Sequence, residues 1–100
     1  MDPEIIEHVK KRSKGRCEVC GSTNMVELHH IIGGSGKRKQ HETKESVVAL
    51  CFYHHRGTYG VHGREGRALD LKLKRQLQEK YRQQGYTEEE VRRKMGGKIY

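Results

Sequence analysis

The apolar positions near the N-terminus recur with the spacing of a helix. Ile5, Ile6 and Val9 form one stripe, and Asp2 before a proline is typical of an N-cap followed by the first helical residue. Gly15 suits the turn that ends such a helix, because glycine adopts the left-handed conformation without steric cost. The pattern therefore predicts an N-terminal helix.

Apolar and polar residues then alternate imperfectly from Val26 to Ile31, which indicates a strand. The adjacent His29 and His30 would point to opposite faces of that strand. The segment SVVALC at 46–51 is predicted to be a second short strand or a turn. The glycine-rich, polar residues 33–45 between them predict a loop.

The final third of the chain has the clearest helical period. Apolar side chains recur there every four residues, at Leu69, Leu73, Leu77 and Tyr81. Gly85 is suited to end this helix. Thr87 and Glu90 form a capping box that predicts one more short helix, ending at Gly96.

The length predicts one small domain over residues 1–100, and the predicted helices and strands make it an α+β domain. Only 32% of the residues are hydrophobic, with no Trp and one Phe, so the core needs additional stabilisation. The mean hydropathy of -1.01 and the lack of an apolar N-terminal segment predict a cytoplasmic protein with no membrane partner. Cytoplasmic thiols stay reduced, which favours metal binding over disulfides for the three cysteines.

Two pairs of ligand residues share a two-residue spacer. Cys17 and Cys20 form C-x2-C, and Cys51 and His54 form C-x2-H. Zinc binds four such ligands in a tetrahedron, and each short spacer lets one turn supply two of them. The set predicts a structural zinc site; unrelated buried cysteines are the simpler alternative. A redox disulfide is disfavoured because the segment lacks a βαβ context.

A closed zinc site has no open position for catalysis, so the remaining histidines become candidates. His29 and His30 cannot easily bind one ion together if they lie on opposite faces of a strand. One of them is suited to bind a second metal with His55, while the other takes a proton from water. The alternative is a polar strand end that carries two histidines by chance.

In their order along the chain, RCEVCG, LHHIIGG and SVVALCFYHH resemble the HNH endonucleases. The resemblance covers about residues 16–62. It implies a small ββα-metal core held by one structural zinc, flanked by an N-terminal helix and by C-terminal helices at about 66–96. GVHG and the closing helices also look like small phage-encoded HNH proteins, some of which act beside DNA-packaging proteins in the cytoplasm of a bacterial host cell.

The resemblance also implies roles for single residues. His29 and His55 become ligands of a catalytic Mg²⁺ or Mn²⁺, and His30 becomes the general base that activates water. Ser46 stands where the family has its central asparagine, and we expect it to take over the positioning role. His62 either completes the catalytic metal site or lies on the DNA face.

One zinc ligand departs from the family pattern. The second ligand pair usually ends in cysteine, and here it ends in His54. Zinc accepts this exchange because neutral imidazole is also a good ligand.

The formal net charge of +8 indicates a polyanionic partner, and the resemblance makes that partner DNA. Basic residues that flank the site in sequence are the candidate phosphate contacts. They are Arg16, Lys37, Arg38, Lys39, Arg56 and Arg64. The expected function is a metal-dependent DNA endonuclease in phage DNA processing or packaging. An inactive zinc-stabilised DNA-binding module and a protein-interaction adaptor remain as alternatives.

Overall fold

The computed structural model describes residues 1–33 and 40–100. Within these ranges the helices and strands, in chain order, are α1 (Pro3–Ser13), β1 (Glu27–His30), β2 (Val47–Leu50), α2 (Phe52–His55), α3 (Arg67–Gln83) and α4 (Glu88–Lys94). This small α+β arrangement confirms the predicted class. Among these helices, none is both long enough and apolar enough to cross a membrane.

Helix α1 begins and ends where its local signals predict. The side chain of Asp2 accepts a hydrogen bond from the backbone N–H of Glu4 at 2.8 Å, which satisfies a donor that has no partner within the helix. The helix ends at Ser13, and Lys14, the capping residue after it, is left-handed with φ 56. Arg12 donates from its guanidinium to the carbonyl of Val47 at 2.7 Å, so α1 is tied to the start of β2.

Strand β2 is buried on both faces, which explains its uninterrupted apolar sequence. Val47 and Ala49 pack against Val9 of α1. Val48 and Leu50 belong to a second, larger apolar cluster on the opposite face. The short segment is therefore a strand rather than a turn.

The pairing of β1 with β2 separates the two adjacent histidines. The strands are antiparallel, and His29 lies opposite Val48 while His30 lies opposite Val47. Directly opposed residues share a face of the sheet. His30 therefore lies on the face covered by α1 and His29 on the other, as the alternation predicts.

Helices α3 and α4 cover the second face. Leu73, Leu77 and Tyr81 of α3 are buried there with Val91 of α4, which confirms the predicted stripe. The capping box of Thr87 is present in full. The predicted helical extension is thus two helices joined by a turn.

Candidate active site

Four residues form a cluster that could hold a metal ion such as zinc. One ligand atom from each of Cys17, Cys20, Cys51 and His54 lies within 4.8 Å of all the others. The Sγ atoms of Cys20 and Cys51 are 3.7 Å apart, and Nδ1 of His54 is 3.4 Å from Sγ of Cys51. A tetrahedral zinc ion with standard bond lengths requires about 3.8 Å between two sulfurs and about 3.6 Å between sulfur and nitrogen. The donor set and its spacing both fit zinc.

The backbone presents these ligands from two turns. The N–H of Gly21 donates to the carbonyl of Cys17 at 2.8 Å, closing the first turn. Glu18 pairs with β2: its N–H donates to the carbonyl of Ala49, and its carboxylate accepts the N–H of Ala49 at 2.8 Å. Cys51 is the residue before helix α2. The sheet thus places the two ligand pairs side by side.

The local environment of Cys17 favours the thiolate form that zinc binds, whereas the pKa of Cys20 is raised, because a backbone hydrogen bond from Ser22 is outweighed by burial and the neighbouring thiols. Burial raises the pKa of the Cys17 thiol, but hydrogen bonds from the backbones of Cys51 and Cys20 outweigh this effect and bring the pKa below its ordinary value.

A second cluster consists of three histidines. One ring nitrogen from each of His29, His55 and His62 lies within 4.8 Å of the other two, so the three could hold one metal ion. The ring centroids of His55 and His62 are 4.7 Å apart, and those of His29 and His62 are 5.1 Å apart. The structure brings the predicted pair together and places His62 beside it.

A glycine-rich turn presents His62 to this cluster. Glycines recur every third residue between α2 and α3, at Gly57, Gly60, Gly63 and Gly66. A Cβ atom at Gly63 would overlap the carbonyl oxygen of Gly57, so the turn closes tightly only with glycine. The N–H of His62 donates to the carbonyl of His55 at 2.9 Å. The three-residue period of the glycines is a signal in the sequence that predicts this turn.

A carboxylate from β1 orients one of the three histidines. Nδ1 of His55 lies 3.1 Å from Oε1 of Glu27, and Nε of Arg56 donates to the same oxygen at 2.9 Å. Hydrogen bonds from Arg56 and His55 lower the pKa of Glu27, and an ionised carboxylate favours the His55 tautomer that carries its proton on Nδ1. His55 then presents the lone pair of Nε2, the arrangement common to metal-bound histidines.

His30 has its own acidic partner. Nε2 of His30 lies 2.7 Å from Oε1 of Glu42, and the two side chains are 18% and 7% exposed. Neither the charge pattern nor the spacing of the sequence points to Glu42, because the contact depends on how the loop before β2 folds.

Ser46 lies in that loop, and its side chain is directed towards the loop rather than towards His30. It is 1% exposed. Its hydroxyl accepts the N–H of Thr43 at 2.8 Å and donates to the carbonyl of His41 at 3.1 Å. Its carbonyl accepts the N–H of Ile31 at 2.8 Å. The structure therefore gives Ser46 a place in shaping the loop, and its catalytic role stays a prediction.

The histidines share a groove of about 910 Å³ with several basic residues. Its lining includes all of His29, His30, His55 and His62, together with Arg56, Lys74 and Lys98. The two lysines lie far from the histidines in sequence, so sequence spacing does not point to them.

The other predicted DNA contacts are placed differently. Arg16 donates to the carbonyl of Gly21 at 3.3 Å, beside the cysteine turn. The side chain of Arg64 is 86% exposed. Lys37, Arg38 and Lys39 lie outside the described residues.

No protein-family model, curated protein or solved structure matches this chain.

Proposed function

We propose that this protein is a metal-dependent DNA endonuclease of the HNH type. The observation that carries the proposal is the shared groove: three histidines that could bind one ion line it together with a fourth histidine held by a carboxylate. Phosphodiester hydrolysis needs positive charge at the phosphate and a base for the attacking water. The order strand, strand, short helix, with a Cys/His cluster at the junction, further supports a ββα-metal core with one structural zinc.

The histidine cluster also suits the catalytic ion that the resemblance implies. Imidazole is a donor that transition metals accept readily, whereas Mg²⁺ prefers oxygen. We therefore expect His29, His55 and His62 to hold Mn²⁺ more tightly than Mg²⁺. When bound, such an ion supplies positive charge to the scissile phosphate and to the leaving oxygen.

In the proposed reaction, His30 acts as the general base. Glu42 accepts the proton on Nε2, so Nδ1 carries the lone pair. Nδ1 takes a proton from water while the water oxygen forms a bond to phosphorus. The bond from phosphorus to the 3′-oxygen breaks, and the 3′-oxygen takes a proton from solvent. The products are a 5′-phosphate and a 3′-hydroxyl.

The resemblance to phage-encoded HNH proteins also suggests a biological setting. We propose a role in phage DNA processing or packaging, in the cytoplasm of the host cell. The GVHG segment, one of the features that carry this resemblance, forms part of the turn that presents His62 to the histidine cluster.

Plasmid nicking tests the proposed activity. Supercoiled plasmid should become relaxed in the presence of Mn²⁺ or Mg²⁺ and stay supercoiled when EDTA is present. An inactive DNA-binding module would bind the plasmid without nicking it, and a protein-interaction adaptor would do neither. Failure to nick with either ion would overturn the proposal.

Lys74 and Lys98 are expected to bind DNA phosphates. Lys74 is held by Asp70 at 2.8 Å, and both lysines lie near the ring of Tyr100, at 5.0 and 5.3 Å from its centroid. Changing either lysine to alanine should lower the salt slope of binding by about one unit and weaken binding about eightfold at about 0.1 M salt. Fluorescence anisotropy with a DNA duplex, without added divalent ions, measures both effects.

Lys11 provides the matched control for these variants. It is 78% exposed on α1 and pairs with Glu7, and it does not line the groove. Lys11→Ala should leave the salt slope unchanged. Equal slopes for Lys11→Ala and Lys74→Ala would show that the groove lysines make no phosphate contact.

Glu27 is expected to strengthen ion binding through His55. Glu27→Ala removes the carboxylate that fixes the ring, so affinity for Mn²⁺ should fall about 10- to 100-fold, as is usual when the partner of a metal-bound histidine is lost. Calorimetry measures the affinity, and zinc content should not change. Glu65→Ala, which removes another exposed carboxylate, is the control. Equal Mn²⁺ affinities for the two variants would contradict the role of Glu27.

A further inference from the structure

We propose that Glu42 is a positioning residue for the general base: it fixes the orientation and the protonated nitrogen of His30. The inference rests on the proposed function, in which His30 takes a proton from water. It assigns a role to a residue that no pattern in the sequence singles out.

Both oxygens of the Glu42 carboxylate are engaged. Oε1 lies 2.7 Å from Nε2 of His30, and Oε2 accepts the backbone N–H of Asp2 at 3.0 Å. Two bonds in different directions prevent the carboxylate from rotating about its own axis. Glu42 therefore links the N-cap of α1 to His30 at the end of β1.

Buried residues hold the loop that carries Glu42. The hydroxyl of Ser46 bonds the backbone on both sides of Glu42, at His41 and at Thr43. The hydroxyl of Thr43 lies 2.7 Å from that of Tyr81, and Tyr81 is 1% exposed in the main core. The contacts of Ser46 and Tyr81 thus hold the backbone on both sides of Glu42 in place. Ser46 influences His30 indirectly, by shaping the loop that carries Glu42.

The charge of the Glu42 carboxylate determines which ring nitrogen of neutral His30 carries the proton. Burial raises the pKa of Glu42, but hydrogen bonds with His30 and from the backbone of Asp2 outweigh this and lower it. An ionised carboxylate only accepts hydrogen bonds. In neutral His30, the 2.7 Å contact with this carboxylate therefore places the ring proton on Nε2 and leaves the lone pair on Nδ1, the atom that the proposed reaction uses.

Glu42→Gln is a sharp test because it changes charge and donors but hardly changes volume. An amide has one oxygen and one NH2 group, so it cannot accept at both of the positions that Oε1 and Oε2 of Glu42 occupy. If the amide oxygen of the Glu42→Gln side chain keeps the hydrogen bond from Asp2, its NH2 group faces Nε2 of His30. Because this NH2 group donates, Nε2 must then accept, and the ring proton moves to Nδ1. We expect kcat for nicking to fall about 10²-fold, the scale of general-base catalysis, while KM and zinc content stay unchanged. Glu42→Asp keeps both oxygens and should recover part of the loss.

NMR gives a readout that does not depend on activity. A long-range ¹H–¹⁵N spectrum at about pH 8, where free imidazole is neutral, should show His30 protonated at Nε2 with a slowly exchanging proton. Glu42→Gln should abolish this signal. Glu45→Gln, a change in the same loop at a residue that bonds Gln84 instead, should keep it.

The nicking assay and the NMR spectrum test the nuclease function and the role of Glu42 separately. A wild type that fails to nick overturns the proposed function, whereas the Nε2 proton tests the role of Glu42 by itself. If His30 is protonated at Nδ1 in the wild type, or if Glu42→Gln keeps the Nε2 signal and a kcat within about twofold of wild type, Glu42 does not position the base.

Discussion

Replacing His30 with alanine is expected to abolish nicking and to leave Mn²⁺ affinity, zinc content and DNA affinity near wild-type values. The loss should be about 10²- to 10⁴-fold, because a positioned base contributes that much to proton transfer. His29→Ala and His62→Ala should instead lose Mn²⁺ binding together with activity, because the ion loses one of three protein ligands. Calorimetry with Mn²⁺ and nicking rates on the same preparations measure both quantities.

His8 supplies the matched control. It is exposed on α1, and His8→Ala should change neither ion binding nor nicking. Either of two results would contradict the assignment of His29 as ion ligand and His30 as general base. If His30→Ala loses the ion while His29→Ala keeps it, or if His30→Ala cuts like wild type, the two histidines do not have the assigned roles.

Removing the structural metal is expected to unfold the protein. The four-residue strands form a two-stranded sheet, and structural zinc in small domains contributes about 10 kcal/mol or more to folding. Cys51→Ser should therefore abolish the cooperative thermal transition, because Cys51 is 2% exposed where β2 meets α2. Metal analysis and melting followed by circular dichroism measure the effect.

Ser22→Ala is the control for this change, since Ser22 lies in the cysteine turn without belonging to the ligand set. It should keep one zinc per chain and melt cooperatively. Protein prepared without zinc that still melts cooperatively at the wild-type temperature would show that the fold does not need the metal.

The helices were predictable because their signals are local. The cap at Asp2 and the capping box at Thr87 each fix a helix start within a few residues. The four-residue spacing of Leu73 and Leu77 identifies the buried side of α3. Helix α2 has only four residues, too few for a period to appear, and it exists because the turn after β2 packs against the sheet.

The candidate site was predictable only where ligands come in short sequence pairs. The C-x2-C and C-x2-H pairs place four donors whose mutual distances the structure shows to suit zinc. Contacts between residues that are far apart in the sequence leave no comparable spacing pattern. Glu42 reaches His30 only once α1 and the loop before β2 meet, and Lys74 reaches the groove only once α3 packs on the sheet.

Ion-dependent nicking that can be switched off and restored tests the central claim most directly. Purified wild type is incubated with supercoiled plasmid and Mn²⁺, the ion is removed with EDTA, and Mn²⁺ is then added back in excess, with His30→Ala prepared in parallel. We predict relaxed plasmid with 5′-phosphate and 3′-hydroxyl ends before chelation and again after add-back, and no nicking by His30→Ala. Equal nicking by wild type and His30→Ala, or no nicking by wild type in either phase, would contradict a histidine-based nuclease site in this groove.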